Sequence, residues 1–149
     1  MPAVASKRSG LRTLLRFHGD MSARIIKRER WQMKVVRIDD MPVEKRSGGI
    51  FLGTVESKAL VGESTGANDL KLDIITFPPG VKNKPHRHEY DQVLYILSGE
   101  GIVATEKEEK KVTPGFLAFI PRGELHWHGA TEKSSFEHIS ILRPGKVEY

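Results

Sequence analysis

The stretch Pro85–Gly101, PHRHEYDQVLYILSGEG, decides how this 149-residue chain is read. Its second half, from Gln92, is a run of aliphatic, aromatic and β-branched residues that stops at Ser98-Gly99-Glu100-Gly101. Glycine supplies the positive φ of tight turns, so the pattern predicts a strand leading into a hairpin. The first half holds His86 and His88, and residues two apart on extended chain point to one face. Gln92 keeps that phase if the chain stays extended, and Leu94 and Ile96 continue it as an apolar stripe. Five of the six histidines lie between His86 and His138. His126 and His128 repeat the i, i+2 spacing 40 residues further on, and His138 falls in a third predicted strand. Two readings of this cluster stand: a metal site, or a chance collection on polar loops.

Outward from this stretch the text is strand and turn. KVVRI (34–38), GIFLGTVES (49–57), LKLDIITF (70–77), GIVATE (101–106), KKVTPG (110–115), FLAFI (116–120), LHWHG (125–129) and FEHISILR (136–143) are short β-prone runs. Gly, Pro, Asp and Asn clusters separate them, and no long 3.6-residue period interrupts them. Many short strands at this spacing predict an all-β sandwich or barrel. EKEEKK (106–111) reads as a solvated hairpin tip, and Trp127, out of phase with its flanking histidines, as core between sheets. Ile75 and Phe77 share strand phase with Asp73; if that face lines a barrel, they wall a substrate pocket. The favoured placement turns Asp73 and Lys71 to solvent and puts Leu70, Leu72 and Ile74 in the core. Arg87 and Tyr90 flank the histidines as simple exposed residues.

Composition narrows the function classes. The chain has no cysteine, which excludes disulfides, thiolate metal sites and cysteine nucleophiles. No apolar run approaches the roughly 20 residues of a membrane span. The net charge of +5 is uneven. Residues 1–32 carry eight bases against two acids, while residues 33–149 carry 16 bases against 17 acids. No phosphate-binding face is expected outside the leader. The leader reads as a targeting peptide, as a basic arm for nucleic acid or membrane, or as sequence preceding a native start at Met33. The third reading is favoured, so the expected organisation is a leader, 1–32, and a single cytoplasmic domain, 33–149.

Imidazole is a common ligand for divalent transition metals, and three neutral nitrogens with one oxygen donor make a partial octahedron. The positions left over would go to water or substrate, as in a catalytic site.

Two motifs sharpen this reading. The first is Gly80-x5-His86-x-His88-x3-Gln92-x6-Gly99, the second Gly115-x5-Pro121-x-Gly123-x2-His126-x3-Ala130. Together, over roughly residues 50–145, they resemble the two motifs of the cupin superfamily. The resemblance implies a double-stranded antiparallel β-barrel, jelly-roll-like, with one divalent ion held by His86, His88, Gln92 and His126. The sequence departs from the family pattern at Gln92, usually glutamate, and at Ala130, usually asparagine. An amide oxygen brings a dipole and no charge, so the ion would keep its full +2 and polarise bound oxygen more strongly.

HWHGATEKSSFEHISI (126–141) and FLGTV (51–55) carry a narrower resemblance. They are similar to cupins of the manganese-dependent hydroxynitrile lyase type and to cupin domains found beside carboxymuconolactone decarboxylases. This implies that His128 and His138 are pocket residues, suited to move a proton, rather than ligands.

The leading expectation is a small mononuclear metalloenzyme. Its ion, Mn or Fe by analogy, would act as a Lewis acid on a small hydroxy or carbonyl substrate, with Ni, Zn, Cu or Co able to occupy the site. An Fe-dependent dioxygenase is the second reading, and a non-catalytic ligand-binding or sensing module the third. A homodimer joined through strands such as KVVRI is also expected.

Overall fold

The computed structural model describes residues 33–149; the expectations for the leader lie outside them. Eleven strands follow one another: β1 (Glu44–Gly48), β2 (Phe51–Val61), β3 (Lys71–Phe77), β4 (Arg87–His88), β5 (Gln92–Gly99), β6 (Gly101–Thr105), β7 (Glu109–Val112), β8 (Leu117–Ile120), β9 (His126–Ala130), β10 (Phe136–Leu142) and β11 (Val147–Glu148). Among the described residues the only helical elements are two 3-10 turns, Ile38–Asp40 and Glu63–Thr65.

A six-stranded sheet runs β1-β2-β3-β10-β5-β8, a three-stranded sheet runs β7-β6-β9, and β11 pairs with β4. All pairings are antiparallel. The expected double-stranded β-barrel of jelly-roll type is what forms. Backbone bridges between His86 and His126, and between Lys82 and Gly129, tie the segment before β4 to the smaller sheet.

Alternation along each strand fills the space between the sheets. Val55, Ile75, Phe77, Leu94, Ile96, Val112, Ile120, Ala130 and Phe136 form one buried cluster. The cross-strand register grades this interior. Phe77 lies opposite Phe136, and Asp73 opposite Ser140, with Leu142 opposite Gln92. One end of the β3–β10–β5 wall is therefore aromatic and the other polar. The polar end is where the site lies.

Several expectations need correction. KVVRI forms no strand: residues 34–37 are irregular and exposed, and Ile38 opens a 3-10 turn. The outer strand is instead β1, EKRSG, whose polar residues carry no strand signal. Ser98–Gly101 does not close a hairpin, although Gly99 does take a positive φ of 73°. Both edges of β5 are occupied, by β10 and β8, so the chain crosses to the other sheet and starts β6. The charged tip EKEEKK is shorter than expected, since Glu109–Lys111 belong to β7. Trp127 is not core. It sits half-buried on the outside of β9, with the Lys82 ammonium 4.8 Å above its ring. Asp73 does not face solvent either: it is buried on the interior face beside Ile75 and Phe77, while Leu70 is exposed. Lys71 and Arg46 make that burial tolerable by pairing with it.

Gly129 marks a close approach. A Cβ there would lie 2.5 Å from Lys82 Cα and 2.6 Å from the Val81 carbonyl oxygen. Gly129→Ala should force β9 away from the segment before β4 and cost about 1–3 kcal/mol. Urea unfolding measures this, and an unchanged midpoint would contradict the tight packing described.

Candidate metal centre

The site is built on a two-way backbone pair. His86 N–H donates to the His126 carbonyl at 2.9 Å, and His126 N–H donates to the His86 carbonyl at 3.0 Å. Each ring is then fixed by the carbonyl two residues upstream. His86 Nδ1 lies 2.8 Å from the Lys84 oxygen, and His126 Nδ1 lies 2.9 Å from the Glu124 oxygen. A carbonyl only accepts, so each Nδ1 is the donor and each Nε2 is left with a lone pair. His88, on β4, brings the third ring 4.9 Å from that of His86 and 5.5 Å from that of His126. One nitrogen from each of the three lies within 4.8 Å of the others, and all three residues are buried.

Gln92 completes the group from β5. Its Nε2 donates to Ser140 Oγ at 2.9 Å, which leaves Oε1 facing His126 Nε2 at 3.0 Å. With His126 Nδ1 holding the proton, that contact places two lone pairs opposite each other. Two neighbouring ligands at right angles on bonds of about 2.1 Å would stand about 3.0 Å apart. His86 Nε2 and both nitrogens of His88 are buried without a hydrogen-bond partner in the protein. Each such orphan costs on the order of 1–3 kcal/mol, and a shared cation satisfies them together. The residues present fit a divalent ion.

Electrostatics points the same way. Burial lowers His86 to about 4, helped by its neighbours His126 and His88. Burial also lowers His88 to about 4, with His126 and the Lys71 charge contributing. His126 is lowered by burial too. At neutral pH these rings are uncharged, which is the form a metal requires.

His128 and His138 sit behind the triad. Asn83 Nδ2 contacts His128 Nε2 at 3.1 Å, and the His128 ring lies edge-on to His138 at 4.9 Å. His138 stacks on Phe136 and Phe77 at 5.0 and 5.8 Å, fully buried, with neither nitrogen hydrogen-bonded. Burial lowers His138 to about 3 and holds His128 well below its ordinary value. Ile75, Phe77, His86, His88, Gln92, His128 and His138 all line one cavity of about 130 Å³. A hollow of about 830 Å³ opens between β8 and the β6–β7 hairpin, but of the five histidines it reaches only His126. The other four histidines all face the smaller cavity.

Sequence reasoning passed over Asn83, Arg46 and Ser140, and misplaced Lys71 and Asp73; all five line this cavity. Ser140 was within reach, being two residues from His138 on one strand. Arg46, on a polar edge strand, and Asn83, in an irregular segment, carry no such signal.

Comparison with known proteins places this geometry. The family profile for the cupin domain matches residues 73–142, which include all five clustered histidines and Gln92. Residues 73–142 form a cupin domain. Over 110 residues the chain is 28% identical to an (R)-mandelonitrile lyase from Granulicella tundricola, covering 73% of this chain and 83% of that one. It is also 28% identical over 113 residues to an oxalate-binding protein from Thermotoga maritima, covering 72% and 92%. A solved cupin-like protein from Thermotoga maritima superposes with a TM-score of 0.66 at 28% identity, covering 70% of this chain and 82% of that one.

The lowered histidines give the cupin a definite acid response. Between about pH 6.5 and about 4 the unfolded chain takes up protons that the folded, metal-free chain refuses, so stability falls as pH falls through that window. Urea midpoints measured on metal-free protein should drop across that range. The drop should be shallower in a His86→Ala, His88→Ala variant; equal slopes would contradict the burial of neutral imidazoles.

Proposed function

We propose that this cupin is a small mononuclear metalloenzyme of the lyase type, with His86, His88, His126 and Gln92 holding one divalent ion. The observation that carries the reading is the set of buried, unpartnered imidazole nitrogens around one cavity. The ion would supply Lewis acidity toward a hydroxyl or carbonyl oxygen of a small substrate. With four neutral donors its charge would stay undiminished, which favours that role. Mn or Fe is the native ion by analogy, since donor type leaves the choice among first-row metals open.

The chain's own residues divide the remaining work. Phe77, Ile75 and Phe51 wall the cavity and exclude water from the carbon skeleton. His138, neutral through burial, is the proton acceptor, on one of its two free ring nitrogens. His128 keeps Nε2 against Asn83, and its buried Nδ1 has no hydrogen-bond partner in the protein. In a cyanohydrin cleavage, His138 would take the hydroxyl proton as the carbon–carbon bond to cyanide breaks. It would then return that proton to cyanide, leaving an aldehyde and hydrogen cyanide. The departing anion is the counter-charge that lets a buried imidazole hold the proton meanwhile. Similarity to the (R)-mandelonitrile lyase supports this reaction class.

A second reading, a binder of a small organic acid without turnover, is favoured by the similarity to the oxalate-binding protein. Aldehyde release from mandelonitrile under anaerobic conditions by Mn-loaded protein separates the readings. Turnover should be present, and His138→Ala should lower kcat about 100-fold or more with metal content unchanged. No turnover in wild type would favour the binder, while oxygen consumption by Fe-loaded protein would favour a dioxygenase.

A further inference from the structure

The cavity that holds the histidines also holds a charged group that the proposed chemistry does not use. Asp73, on β3, is buried on the interior face. One oxygen of it, Oδ2, takes two cations: Lys71 Nζ at 3.2 Å and an Arg46 guanidinium nitrogen at 3.7 Å. The two cationic side chains are 40% and 41% exposed, so they stand at the cavity's mouth. Arg46 is steadied from below by the Phe51 ring, 5.5 Å from its guanidinium carbon.

The charges do not balance. The four neutral imidazoles and the Gln92 amide contribute nothing, and Asp73 is the single acid among the residues lining the cavity. Two cations against one carboxylate leave a net +1, and a divalent ion held by neutral donors would raise it to +3. Positive potential in a small, low-dielectric hollow draws in anions. The space of about 130 Å³ suits a small organic molecule. Guanidinium and ammonium groups side by side match a carboxylate.

We propose that Arg46 and Lys71 form an anion subsite, and that the cupin's natural ligand is a small carboxylic acid. Its carboxylate lies on these two cations while its hydroxyl or carbonyl oxygen faces His86, His88 and His126. Asp73 is the internal competitor: it holds the two cations in place until the ligand's carboxylate shares them. This rests on the proposed metal site for the second anchor, but the subsite itself belongs to the chain.

Calorimetric titration with 3-hydroxypropanoate and its neutral counterpart 3-hydroxypropanamide tests the subsite, on metal-loaded and metal-free protein, with metal content measured for each variant. Wild type should prefer the acid by about tenfold or more, and the preference should shrink as salt rises. Arg46→Gln and Lys71→Gln should each reduce it severalfold, and the double variant should abolish it without altering amide affinity or metal content. Asp73→Asn should tighten binding of the acid. Equal affinity for acid and amide in wild type, or an undiminished preference in the double variant, overturns the proposal. A preference that persists in metal-free protein and vanishes in the double variant upholds the subsite even if the metal site fails.

Discussion

The structure turns on one constraint: imidazole nitrogens are buried where no protein group satisfies them. The mutual backbone pair between His86 and His126 fixes two rings across the gap between a loop and the smaller sheet. Carbonyls two residues upstream then claim both Nδ1 atoms. Nothing remains for Nε2 except a cation or another lone pair. Gln92, held by Ser140, adds an oxygen with the same need. A fold that buries so many orphans is costly on its own terms and becomes reasonable once an ion gathers them.

The rest of the barrel serves this polar end. Phe77 and Phe136 pack under His138 and belong to the apolar cluster that closes the other end of the wall. Gly101 lets the crossing chain lie against the Phe136 ring, where any Cβ would collide with it. The short β4–β11 pair places Val147 opposite His88, so strand β11 backs the third ring of the triad. Rigid packing on one side and a polar mouth on the other give a cavity whose walls differ in chemistry. That difference lets it orient a small molecule.

Much of the fold was legible because period-two alternation survives wherever a strand has one buried face. β5 and β10 show this plainly, with Gln92, Leu94 and Ile96 on one and Phe136, His138 and Ser140 on the other. β1 was illegible because an exposed edge strand needs no apolar face, and β4 and β11 because two residues make no pattern. The turn at Gly99 was readable as a turn, but its direction depends on β5 having no free edge, a fact of topology. The i, i+2 histidine pairs announced the site. The carbonyls that orient them did not, since any residue supplies a carbonyl. Asp73 was misplaced because strand phase alone does not reveal the cations, one of them on another strand, that compensate a buried acid.

Metal analysis of the purified cupin beside its His86→Ala, His88→Ala variant tests the central claim most directly. Convergence of these nitrogens on one ion predicts about one equivalent of divalent metal per chain in the first and close to none in the second. Equal metal content in the two proteins would contradict it.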